Sequence, residues 1–151
     1  MTIDSNHTSR REARRIALAA VYSAECTAYD QAETLAEIRQ MRSDWTEPPE
    51  LAIHLLKLVC DNAAEIEQLL CKILENWRLE RIAPVERALL KLGCAEIRYC
   101  PEIPPRVSIN EYIELAKIFA NENAPAFING ILDKLVQISR KQDFQATSSK
   151  P

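Results

Sequence analysis

Gly93 and Gly130 are the only glycines in a chain of 151 residues, whereas eight prolines punctuate it. Tight two-residue hairpins depend on glycine at positive φ, so a chain this poor in glycine has few places to build them. Alanine, leucine, isoleucine, glutamate, lysine and arginine recur throughout, and 47% of the residues are hydrophobic, enough to fill a core. The composition points to an all-α fold, a compact bundle of about seven helices in two small subdomains.

The prolines and the apolar spacing set the boundaries. Residues 1–8, MTIDSNHT, are polar without periodicity and read as a flexible tail. Ser9 is a candidate N-cap with Glu12 completing a capping box, ahead of an apolar stripe at Ala13, Ile16, Ala17, Ala20, Val21 and Ala24. Asp30 and Glu33 repeat that signature before Leu35, Ile38 and Met41, predicting a short second helix. Pro48 and Pro49 suit the first turn of a third, and helical spacing from Leu51 through Ile73 predicts one long helix reaching Asn76. Pro84 opens a helix through VERALLKLGCAEIRY, and Pro101, Pro104 and Pro105 close it. VSINEYIELAKIFA follows, with Ile109, Ile113, Leu115, Ala116 and Phe119 as its apolar positions, and Pro125 starts a last helix, AFINGILDKLVQI. The subdomains are placed at 9–76 and 77–141, joined near WRLERIAP, with a second flexible tail at 142–151.

Several function classes are disfavoured by what these residues lack. Cys26, Cys60, Cys71, Cys94 and Cys100 are widely spread, with no CxxC and no histidine at ligand spacing, so they read as reduced, buried thiols rather than metal ligands or disulfides. His7 and His54 have no Ser, Cys or Asp arrangement around them that suggests a nucleophile and base. No catalytic set and no cofactor motif emerges, and two isolated glycines cannot supply GxGxxG. The first fifteen residues hold no apolar run and no later stretch has the length of a membrane span, so a cytoplasmic protein is expected.

What stands out is SRREARRIALAAVY, which places Arg10, Arg11, Arg14 and Arg15 within six residues of a chain whose net charge is −3. At 100° per residue Arg11, Arg15, Leu18 and Tyr22 form one stripe, Arg10 and Arg14 flank it, and the alanine-rich face points away. A solvated helix face is the plain explanation, yet cations near a helix N-terminus oppose the macrodipole, and an anionic partner would reverse that cost. All four are arginine, whose planar fork suits bidentate phosphate contact and base stacking. Removing these four arginines and Glu12 leaves fifteen basic against twenty-one acidic residues, or −6, so the positive patch is isolated. That pattern favours a selective RNA contact over general attraction to polyanions.

The same residues carry a family resemblance. RREARRIALAAVY, WRLERIAPVERALLKLGCAEI and IPPRVSINEYIELAKIFA followed by FINGILDKL resemble the opening helix, central segment and C-terminal signature of the NusB family of bacterial transcription antitermination factors, over about Arg10 to Leu135. The resemblance implies a non-catalytic all-α protein that binds boxA, a short single-stranded RNA element, together with NusE, which is also a small-subunit ribosomal protein. The pair joins elongating RNA polymerase and supports transcription of ribosomal RNA operons. It implies RNA-binding roles for Arg10, Arg11, Arg14, Arg15, Tyr22, Asn123 and Phe127, and partner-binding roles for Tyr22 and Glu86. Asn123 stands where the family often has an acidic residue, which would remove repulsion beside RNA. Ala19, Ala95 and Tyr112 also depart from the common pattern. A dimer of the free protein would hide the arginine face until RNA or partner arrives.

Structural alternatives remain beside these roles. Phe127, four residues before Ile131, suits either the core or base stacking; Tyr22 suits covering of the second helix; Glu86 with Arg87 suits a solvated pair. Asn129 and Gly130 read as packing devices, and Asn110 as a cap or buried hydrogen-bonding residue. The competing function is a helical protein-protein adaptor without sequence-specific RNA binding, which would have no use for the arginine stripe.

Overall fold

The structure, a computed structural model, describes residues 2–26, 33, 50–75 and 78–148, with side chains at 10–26, 33, 50–75 and 78–139. Six α-helices occur among the described residues: α1 (Thr2–Cys26), α2 (Glu50–Asp61), α3 (Ala63–Ile73), α4 (Pro84–Tyr99), α5 (Pro105–Phe119) and α6 (Ala124–Ser148). A 3-10 turn at Leu79–Arg81 leads into α4. The described residues contain no strand, as the scarcity of glycine predicts.

Helix α4 is the hub. Leu89, Leu90, Leu92, Cys94 and Ala95 are all fully buried, so this helix is apolar around most of its circumference and is wrapped by neighbours. It packs against each of the other five helices, with α1 and α2 on one side and α5 and α6 on another. Gly93 lets Leu132 of α6 pack directly onto α4, because a Cβ there would sit 2.8 Å from Leu132 Cδ1. The main core runs from Ala17 and Val21 of α1 through Leu55, Leu70 and α4 to Tyr112, Leu132 and Leu135, and a smaller cluster joins Ala13 and Ile16 of α1 to Ala52 of α2. The two subdomains expected on either side of residue 77 thus share one set of buried side chains.

Several boundaries differ from the sequence reading. α1 begins at Thr2, so Ser9 lies within the helix and not at its cap. Once the buried stripe of α1 is anchored, each further residue adds a hydrogen bond at little nucleation cost. The last helix likewise runs to Ser148, beyond the expected end at 141. The single long helix expected through Leu51–Asn76 is two helices, divided at Asn62 (φ −118°, ψ 23°). The Leu58 carbonyl accepts from both the Asn62 backbone N–H at 3.1 Å and Asn62 Nδ2 at 2.9 Å, a local side-chain bond of the kind found where helices end or bend. The helix expected around 30–41 falls outside the described residues, apart from Glu33.

None of the five cysteines forms a disulfide, and only Cys94 and Cys100 are buried; Cys26, Cys60 and Cys71 are exposed, which corrects the expectation of a wholly buried set. No described helix is long and apolar enough to cross a membrane.

Candidate nucleic-acid and partner interface

The four arginines of this window, Arg10, Arg11, Arg14 and Arg15, each have different surroundings. Arg10 is exposed. Arg11 donates from Nε to both carboxylate oxygens of Glu111 on α5, at 3.2 and 3.1 Å, while its own side chain stays 55% exposed. Arg15 is exposed and lies over the ring of Phe119 at the end of α5, with Cζ 5.5 Å from the ring centroid.

Arg14 is different. Its side chain is 1% exposed, and Nε donates to the two oxygens of Glu96 on α4 at 3.0 and 3.1 Å, with Nη2 donating to the same carboxylate. Burial alone would lower its pKa, yet the hydrogen bonds and charge of Glu96 outweigh that and hold it above its ordinary value. Tyr112 is fully buried beside the pair, and burial first, then the Glu96 charge, push its phenol well up. Tyr112 thus fills space next to a buried ion pair.

The exposed stripe read from the sequence therefore needs two corrections. Arg14 and Leu18 are both buried, because α2 and α4 cover α1 from two sides and bury a wider arc than the alanines alone occupy. A guanidinium enclosed with its carboxylate offers no open donor fork to a phosphate. The surface cations of this window are Arg10, Arg11 and Arg15.

Tyr22, seven residues beyond Arg15, lies on the same side of α1 and is 44% exposed. Its phenol is held above the ordinary value first by a hydrogen bond with Cys26, one turn on. The end of α1 is tied to the start of α4, since Glu25 accepts from Arg87 Nε at 2.9 Å and from Lys91 Nζ. Glu86 is half-buried in the first turn of α4 and accepts from Asn121 Nδ2 at 3.2 Å. It is therefore not paired with Arg87, contrary to the solvated-pair reading. Asn121 also anchors the next turn, its Oδ1 accepting the Asn123 backbone N–H at 3.0 Å. Asn123 is exposed immediately before α6, and its carbonyl accepts from the Phe127 N–H at 3.2 Å.

Phe127 is partly buried and packs against the main core. Phe119 was the residue the spacing misassigned. It sits in the apolar register of α5 yet is 45% exposed, with Ile118 beside it at 64%. The available signal was its position as the last helical residue before the polar run Asn121–Glu122–Asn123. Asn129 and Gly130 are also exposed rather than packed, and nothing lies within 4 Å of where a Gly130 Cβ would be. Asn110 is exposed too, and with Asn129, Arg106 and Asp133 it lines an open cleft between α5 and α6. Among the described residues no cluster of His, Cys, Asp and Glu is arranged to hold a metal ion.

The fold is shared with known proteins. The NusB family profile matches residues 11–137. The transcription antitermination protein NusB of Geotalea uraniireducens is 38% identical over 139 residues, covering 87% of this chain and 96% of that one. Its counterpart in Myxococcus xanthus is 40% identical over 131 residues, covering 84% and 94%. Among solved structures, NusB of T. maritima superposes with a TM-score of 0.79 at 31% identity, covering 90% of this chain and 96% of that one. A chain from a crystal structure of antitermination factors NusB and NusE in complex with double-stranded RNA gives 0.79 at 25% identity, covering 87% and 98%. With a family match across most of its length and relatives of this similarity, the chain belongs to the NusB family.

Proposed function

We propose that this chain is an RNA-binding transcription antitermination factor that holds a boxA-like single strand together with a NusE-type ribosomal protein. It acts in the cytoplasm on elongating RNA polymerase and supports transcription of ribosomal RNA operons. The observation that carries the reading is the exposure of Arg10, Arg11 and Arg15 on α1, beside exposed Tyr22, in a chain of net charge −3. Family membership and the fold shared with a NusB–NusE–RNA complex support it.

The physical division of labour follows from charge. The three surface arginines neutralise phosphates and release counterions, which gives a salt-dependent affinity. Tyr22, Phe127 and Asn123 supply ring faces and an amide along the same route, and Asn123 adds no negative charge there. Glu86, in the first turn of α4 and bonded to Asn121 of the α5–α6 connection, offers a carboxylate to a basic partner. No step of this reading asks for catalysis or a cofactor.

The test is a titration of a boxA-like single strand against a scrambled strand of equal length, with and without NusE, at two salt concentrations. Replacing Arg10, Arg11 and Arg15 with alanine is expected to abolish specific binding and flatten the slope of log affinity against log salt by roughly 2, at about 0.7 per phosphate contact on a single strand. Glu86→Lys should weaken the protein pair more than it weakens RNA binding by the free protein. Unchanged affinity and slope in a folded triple variant would overturn the RNA reading and leave the adaptor.

A further inference from the structure

The arginines exposed on α1 are not equivalent, and the difference lies in what each one touches. Arg11 is held by the Glu111 carboxylate, which satisfies part of its charge before any ligand arrives. Arg15 has no such partner among the described residues; it rests on an aromatic ring. A ring holds a guanidinium through its quadrupole and leaves the net positive charge in place. The pair therefore presents a cation and flat π surfaces at one point.

Both members face solvent. Phe119 keeps 45% of its surface exposed despite lying in the apolar register of α5, and Arg15 is exposed as well. Leaving a phenylalanine this open forfeits hydrophobic stabilisation that deeper burial would have supplied. Its neighbour Ile118, 64% exposed, enlarges the apolar area at the end of the helix. These features match the chemistry of an unstacked nucleobase joined to a phosphate: a flat apolar face for the ring and a cation for the anion beside it. A paired duplex does not offer that face, because its bases are stacked on each other.

We propose that Arg15 and Phe119 form a nucleobase-stacking platform that receives one unpaired base of the bound strand. Phe119 orients the guanidinium, and the base stacks on the composite surface. The inference rests on the RNA reading above and adds to it one defined base site, composed of residues from α1 and α5. Lysine in place of Arg15 would retain the charge and lose the planar group, while leucine in place of Phe119 would retain apolar bulk and lose the ring.

The experiment uses the full chain and a boxA-like single strand, together with strands carrying one abasic nucleotide at each position in turn. Wild type should lose affinity on the order of tenfold when one particular base is removed. Arg15→Lys and Phe119→Leu should each bind the intact strand on the order of tenfold more weakly, and removal of that same base should then cost little. Phe119→Tyr should restore the wild-type pattern, and thermal unfolding of each variant checks that the fold is intact. If both variants bind the intact strand like wild type, or if the abasic penalty persists in full, the platform is overturned while binding through Arg10 and Arg11 stands. A wild type that binds none of the strands overturns the RNA reading and the platform together.

Discussion

Replacing Arg14 with alanine separates a structural arginine from its surface neighbours. The guanidinium and the Glu96 carboxylate are 1% and 0% exposed, joined by three donor contacts across 82 residues of sequence. Removing the cation leaves Glu96 as an unpaired carboxylate inside the bundle, and breaking a buried pair in this way costs about 3–5 kcal/mol. For a chain of this size each kcal/mol lowers the unfolding midpoint by about 2–4 °C, so Arg14→Ala should fall by roughly 6–20 °C. Arg10→Ala, at an exposed site, should stay within about 0.5 kcal/mol of wild type. The decisive companion is the double replacement of Arg14 with methionine and Glu96 with leucine. It removes both charges at similar volume and should recover most of the loss. Thermal and urea unfolding measure all three variants, and RNA titration of the folded Arg14→Ala fraction should give an affinity near wild type. An Arg14→Ala protein that melts normally but no longer binds RNA would refute the assignment and return Arg14 to the surface site.

The legible parts of this molecule were those encoded locally. Proline positions and apolar spacing located α4, α5 and the start of α6 closely, because proline acts on its own and the preceding residue. The break at Asn62 was missed, since apolar spacing continues straight through it and only the backbone angles of one residue depart from the helix. Arg14 was misread for a different reason: its carboxylate lies 82 positions away, and no window around an arginine discloses so distant a partner. Phe119 reversed the error, an apolar residue in register that the end of its helix leaves in solvent. Gly130 and Gly93 show the same limit, because identical residues in two helices differ only in whether another helix passes close by.

The glycines give a paired prediction. Gly93→Ala should destabilise by about 1–3 kcal/mol, since its Cβ would meet Leu132 at 2.8 Å, and Gly130→Ala, in open space within a helix, should stabilise by up to about 1 kcal/mol. Urea unfolding that gave both substitutions the same sign would contradict the contrast in packing. The buried thiols contribute to the loss of stability at alkaline pH: burial above all pushes Cys94 from 9.0 up to about 12, and Cys100 from 9.0 up to about 11. A raised folded pKa means that the unfolded chain ionises first, so this stability is fully present below about pH 9 and is lost as pH rises through 11 and 12. Thiol labelling of the native protein near neutrality should modify exposed Cys26, Cys60 and Cys71 promptly, and Cys94 and Cys100 only on unfolding. Equal labelling rates at all five cysteines would show that the core around α4 opens far more readily than its burial implies.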